Sequence, residues 1–124
     1  MIVSEKMLTL AKRLLEKTRS KQIDWEEGFT DQYETHLPNF SVRIAHQGPG
    51  IYKLTVYNNA GKLVESIVGN AHFEKRDTYE KYLKREDLIE EDDKYDLLKE
   101  IYVLAEKSVI NVEKSLEDLL EELG

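Results

Sequence analysis

The residues of this sequence that could do chemistry are three histidines, six serines and several runs of carboxylates. No serine lies in the Gly-x-Ser-x-Gly elbow that presents a nucleophile. His36, His46 and His72 lack the His-x-x-x-His spacing that places two imidazoles on one helix face for zinc. The chain has no cysteine, which excludes thiol nucleophiles and cysteine-ligated metal. We therefore expect no catalytic residue, no metal site and no cofactor.

Two other arrangements remain open at this level. A metal site could be assembled in space from His36 or His46 with His72. The acidic run at residues 90–93 could hold a cation or share a proton, although such runs before a helix usually act as solvated caps. The segment Gly48-Pro49-Gly50 lacks the length and the Lys-Ser/Thr ending of a phosphate-binding loop. We interpret it as a hairpin turn.

Periodicity predicts the elements that must position these residues. Residues 4–20 place apolar side chains at steps of three and four, which predicts a helix. From Trp25 the apolar period changes to two, which predicts strands. The first strand extends to Leu37, with Gly28 marking a bulge or a bend between two pieces. Three more strands follow, separated by turns at residues 47–50 and 58–61.

A final helix is predicted over residues 93–123, because an apolar stripe continues without Gly or Pro. Asn111 is the one place where it could break into two helices, and we favour a single helix. Residues 71–92 form an irregular insertion, with a short helix near residues 77–84. The long helix would extend beyond the sheet, which suggests a homodimer that pairs the distal stripe around a twofold axis.

These elements together predict one α+β domain over residues 1–124. It consists of an N-terminal helix, a four-stranded antiparallel meander over residues 25–68 and a long C-terminal helix packed on one sheet face. No segment approaches the ~18 apolar residues of a membrane span, and no leader is evident at the N-terminus. We expect a cytoplasmic protein without membrane contact.

Charge is distributed unevenly along these 124 residues. Residues 1–22 sum to +4, residues 23–71 to −3 and residues 72–124 to −8, for a total of −7. We do not expect an acidic chain to bind nucleic acid, since such binding depends on Lys and Arg side chains that neutralise phosphates. The acidic C-terminal region instead favours a basic protein partner.

Tyrosines and acidic residues near this region are the predicted partner contacts, because tyrosine supplies rigid contact area at interfaces. The predicted set is Tyr57, Tyr79, Tyr82, Asp92, Asp93 and Asp96.

The order of these elements resembles that of a group of small bacterial proteins of unknown function. The resemblance rests on the segments at residues 14–18, 23–26, 52–61 and 98–105, and it covers the chain except about residues 71–84. It implies the same fold and a bacterial cytoplasmic origin, but no catalytic motif.

The sequence therefore favours a non-enzymatic interaction module, accessory or inhibitory, that docks a protein partner through its acidic C-terminal region. The alternative is a small-molecule or nucleotide-binding regulator with a pocket between sheet and helices, lined by Trp25, Arg43 and His46. An enzyme with His46 or His72 as its base is the third and weakest hypothesis.

Overall fold

The structure is a computed structural model that describes residues 3–71 and 85–124. Side chains are described outside residues 85–93 and 112–113. The elements, in chain order, are α1 (Val3–Arg19), β1 (Glu26–Glu27), β2 (Gln32–His36), β3 (Phe40–Gly48), β4 (Ile51–Asn58), β5 (Leu63–Asn70), α2 (Arg85–Ile110) and α3 (Val112–Leu123). The predicted α+β class and N-terminal helix are confirmed.

The strands form one antiparallel sheet in the order β1-β2-β3-β4-β5, which confirms the meander. Its register places Ile44 opposite both Tyr33 and Leu54, and Leu54 opposite Ile67. These four residues therefore share one face, which is buried under the helices. We call this the inner face of the sheet and the opposite side the outer face.

The prediction of four strands is wrong because the first segment is a hairpin. Residues 26–27 and 32–36 pair with each other, and Asp31 adopts a left-handed φ of 59° in the turn between them. The turn leaves Phe29 77% exposed, although its parity matched that of buried Trp25 and Tyr33. Gly28 thus precedes a reversal of the chain and not a bend within one strand.

Helices α1 and α2 pack against each other and cover the inner face. The amphipathic pattern of α1 buries Met7, Ala11, Leu14 and Leu15. From α2, Leu98, Ile101 and Ala105 are completely buried. They meet Val42, Ile44 and Leu54 of the sheet in a single hydrophobic core.

Close approach between α2 and β5 depends on a glycine. A Cβ atom added to Gly69 would lie 2.6 Å from the Cα atom of Tyr95 and 2.8 Å from the carbonyl carbon of Lys94. Backbone atoms cannot yield as a flexible side chain can, so only glycine allows this packing distance.

The single helix predicted over residues 93–123 is also wrong. Helix α2 begins at Arg85, within the segment predicted to be irregular, because these turns contain the helix-forming residues Arg, Glu and Leu and have no Gly or Pro. It ends at Ile110, and Asn111 adopts φ 51° and ψ 66°, a left-handed conformation that asparagine tolerates. A separate helix, α3, begins at Val112. The proposed short helix at residues 77–84 lies outside the described residues.

No helix within residues 3–71 and 85–124 is both long enough and apolar enough to cross a membrane.

Candidate interaction surface

The three residues proposed to line a ligand pocket are not brought together. Trp25 is buried, and its Nε1–H donates a 3.0 Å hydrogen bond to the Thr18 hydroxyl of α1. His46 pairs with Tyr52 on the inner face and stacks on that ring at 4.7 Å between centroids. Arg43 lies on the outer face, because the odd-numbered residues of this part of β3 point away from the helices.

His46 belongs to an aromatic cluster at one end of the core. The ring of Tyr102 lies 5.4 Å from those of Tyr33 and Tyr52 and 5.6 Å from that of His46. Burial raises the pKa of the Tyr102 phenol to about 12, and nearby Tyr33 and carboxylates add to the shift. Burial raises the pKa of Tyr33 and Tyr52 as well. The cluster thus holds neutral phenols in packed surroundings.

Arg43 instead belongs to a polar row on the outer face. Its Nε donates a 2.6 Å hydrogen bond to Glu34 Oε1, and its Nη2 pairs with the same carboxylate. The guanidinium also lies 5.2 Å from the centroid of the Tyr57 ring, within cation–π distance. The Arg43 guanidinium therefore contacts both the Glu34 carboxylate and the Tyr57 ring. These cross-strand contacts account for the polar row without a ligand.

The histidines do not assemble a metal site in the described part of the chain. His36 is exposed on the outer face, 3.6 Å from Glu26 Oε2, whereas His46 is on the inner face. His72 lies outside the described residues. Among the side chains that are described, no three His, Asp or Glu groups converge as metal ligands would.

Of the predicted partner contacts, only Tyr57 and Asp96 have side chains that the structure describes, and these two lie on different sides of the sheet. Tyr57 is half-buried on the outer face, whereas Asp96 is exposed on α2, which covers the inner face. Asp92 and Asp93 are in α2, but their side chains are outside the described set, and Tyr79 and Tyr82 lie outside the described residues.

Among the side chains that the structure describes, those of α3 form the most unusual exposed surface. The leucines of α3 recur at i, i+3, i+4 and i+7 and lie on one side of the helix. They are 49–75% exposed: Leu116, Leu119, Leu120 and Leu123. We call these four residues the leucine stripe. Such an amphipathic helix normally buries its apolar face, so the stripe is a candidate binding surface.

Asn111 makes α3 a distinct helix and not the frayed end of α2. Its side-chain Oδ1 accepts a 3.3 Å hydrogen bond from the Lys114 N–H, and its carbonyl accepts from the Ser115 N–H at 3.0 Å. These bonds satisfy donors at the N-terminus of α3. Beyond the cap, every side chain described in α3 is exposed.

A shallow groove runs beside the exposed side of α1. It encloses about 330 Å³ and is lined by Leu10, Arg13, Leu14, Lys17, Gln22, Ile23 and Leu37. Its floor is apolar and its rim carries the cations Arg13 and Lys17. We call it the α1 groove.

A second groove, of about 460 Å³, adjoins the first at Ile23 and lies between α1 and α2. Lys21 and Lys107 contribute to its lining, as does Asn111, so it extends to the base of α3. Arg19 is also there and forms an ion pair with Glu100 of α2. Most charged groups in both grooves are therefore basic.

The sequence predicted the apolar stripe and indicated Asn111 as the one possible break, although a single helix was favoured, and the α1 groove was not predicted. The pairing of Arg13 and Lys17 at i, i+4 beside Leu10 and Leu14 was the available signal. The contribution of Ile23 and Leu37 follows only from the tertiary fold.

These features define an α+β protein with a helix-covered antiparallel meander, an exposed amphipathic helix and a basic-rimmed groove. None of the family models, curated proteins or solved structures compared with this chain matches it.

Proposed function

We propose that this protein is a non-enzymatic interaction module, with an accessory or inhibitory role, whose docking element is α3. The observation that carries the proposal is the exposure of all four leucines of the stripe on a separately capped helix. Complete burial of an exposed leucine side chain contributes about 1.5–3 kcal/mol, and these four are 49–75% exposed, so docking would gain part of that amount from each. Helix-in-groove recognition uses the same i, i+3, i+4 and i+7 anchors.

The charge of α3 indicates the chemistry of its partner. The helix contains five acidic residues and one lysine, a net charge of −4. Glu117 and Glu121 are spaced i, i+4 and follow Leu116 and Leu120 along the same helix. The proposed partner is therefore a protein with an apolar groove and a basic rim, because opposite charges at a rim favour encounter and register. Exposed Asp96 of α2 is a further proposed acidic contact, separate from α3.

The alternative of a small-molecule regulator receives less support from the geometry. It requires Trp25, Arg43 and His46 around one pocket, whereas the sheet separates Arg43 from the other two. The imidazole of His46 is also stacked in the aromatic cluster, which does not favour the enzyme hypothesis. The resemblance to small bacterial proteins supports the further proposal of a bacterial cytoplasmic protein.

Capture from the host followed by binding measurements with a purified partner tests the role of α3. Each protein captured by the tagged full chain would be identified, purified and titrated against wild type and the double variant L116S/L120S. We expect a dissociation constant at least about tenfold higher for the double variant, which loses two anchors.

The matched control is Leu63→Ser, which changes another exposed leucine, 63% accessible, at the start of β5. It should bind as wild type does. The proposal is wrong if every captured protein binds L116S/L120S and wild type equally well, because binding would then not depend on the stripe.

A further inference from the structure

We propose that the partner of α3 is a second copy of this chain, in which α3 occupies the α1 groove. Two copies would exchange their α3 helices reciprocally, so the contact is made twice around a twofold axis and closes as a dimer. This inference rests on the proposed function, because it names the partner of the same helix.

The spacing of the two surfaces is the first argument. Leu10 and Leu14 in the α1 groove are one helical turn apart, as are Leu116 and Leu120 in the stripe. On each helix this turn rises about 6 Å. Leu14 is only 3% exposed and forms the base of the groove, so the leucines of α3 would pack over it and against half-buried Leu10. Ile23 and Leu37 complete the apolar floor of the groove.

Charge complements this apolar match. Arg13 and Lys17 on the rim repeat at i, i+4, and so do Glu117 and Glu121 on α3. Arg13 and Lys17 lie three residues after Leu10 and Leu14, and Glu117 and Glu121 directly follow Leu116 and Leu120, so each charged pair flanks the apolar row of its own helix. Docking would therefore bring two cations opposite two carboxylates when the leucines enter the groove.

Charge also discriminates between two modes of self-association. Pairing of two α3 helices along their leucine stripes would place a net charge of −4 beside another −4. Helix α1 has five basic and two acidic residues, a net charge of +3. Docking of α3 beside α1 thus gains attraction where α3–α3 pairing suffers repulsion. The proposal therefore differs from the expectation that the distal stripes pair with each other, which stays a prediction.

The second copy is a better occupant than the same chain. Asn111 lines the groove between α1 and α2, and α3 leaves the domain from that point with all its described side chains exposed. In the structure α3 does not occupy the α1 groove of its own chain, and the hydrogen bonds from Lys114 and Ser115 to Asn111 hold the backbone where the helix begins. A neighbouring copy can present its groove to α3 with these bonds intact.

Sedimentation equilibrium of the full chain, with charge-reversed variants, tests the proposal. We expect wild type to dimerise. The variants R13E/K17E and E117K/E121K should each raise the dissociation constant of the homodimer at least about tenfold, through like-charge contacts at the rim. An equimolar mixture should restore dimerisation, because each reversed groove then meets a reversed helix.

The variant R13E/K17E distinguishes a failure of the groove proposal from a failure of the proposed role of α3. Arg13 and Lys17 are exposed, and circular dichroism would show that R13E/K17E keeps the wild-type fold. If R13E/K17E dimerises as wild type does while L116S/L120S does not, the stripe pairs elsewhere: the groove proposal is overturned and α3 remains the docking element. A wild-type monomer at all concentrations also overturns it, and the proposed function then depends on another protein. If L116S/L120S dimerises as wild type does, α3 is not the contact.

Discussion

The indole of Trp25 is tied to α1 through Thr18. Its Nε1–H donates to the Thr18 hydroxyl at 3.0 Å, and that hydroxyl donates to the Leu14 carbonyl oxygen at 2.7 Å. Both side chains are buried, at 6% and 8% exposure. The chain of bonds therefore fixes the segment that leaves α1 and enters the sheet.

Replacing Thr18 by valine should lower the free energy of unfolding by about 1–3 kcal/mol. The substitution keeps the volume but leaves the buried indole N–H without its acceptor. Urea denaturation followed by the fluorescence of Trp25, the sole tryptophan, measures the change. Thr18→Ser keeps the hydroxyl and should cost less than about 1 kcal/mol, the value of one methyl group. Equal losses in the two variants would show that the hydroxyl is not the stabilising group.

Replacing Gly69 by alanine should destabilise the domain by about 1–3 kcal/mol or more, since the added methyl group would overlap the backbone of α2 at Tyr95. Thermal unfolding by calorimetry would measure the loss. Gly48→Ala is the matched control, because its nearest contact would be Ile51 Cδ1 at 4.0 Å. The control should change stability little. A Gly69→Ala protein as stable as wild type would mean that α2 can shift away from β5 without cost.

Replacing Asn111 by alanine should reduce the helicity of α3 while leaving the unfolding of the core almost unchanged. Alanine loses the side-chain acceptor for the Lys114 N–H, worth about 1 kcal/mol, and is strained at φ 51°. Asn111→Gly should relieve the strain but not restore the acceptor. Hydrogen exchange of the α3 amides would separate the variants. Cooperative loss of core protection in Asn111→Ala would contradict the independence of α3.

Stability should fall in alkaline solution between about pH 10 and pH 12. Burial raises the pKa of Tyr102 from 10.0 to about 12, so the folded state keeps the phenolic proton over a range in which the unfolded state has lost it. This contribution is complete below pH 10 and disappears as the pH rises through 12. Tyr102→Phe should show a smaller fall. Urea unfolding across this range measures both slopes, and identical slopes would contradict the assignment.

The parts of the fold that followed local rules could be predicted. The 3.6-residue period of α1 and the alternation of Tyr52, Leu54 and Val56 in β4 report burial on one side, which local sequence encodes directly. His46 on the inner face and His36 on the outer face follow from the same alternation.

The two wrong predictions, of four strands and of a single C-terminal helix, both concern a residue with a left-handed backbone conformation. At one the chain reverses, and at the other a helix ends. Asp31 and Asn111 both adopt positive φ, and neither is glycine. Each residue type also occurs inside regular elements, so its presence alone does not predict where the chain reverses or a helix ends. For the candidate site, the leucine stripe was visible as periodicity. The α1 groove was not, since it joins α1 to Ile23 and to Leu37 after β2.

The left-handed turn at Asn111 also has a consequence for how this protein can change over time. Because no described side chain of α3 is buried in the core, substitutions there carry little folding penalty. Substitutions among the 12 residues of α3 can therefore change the affinity or the specificity of binding. The sheet and the other helices have less freedom to change, because their side chains must pack in the core.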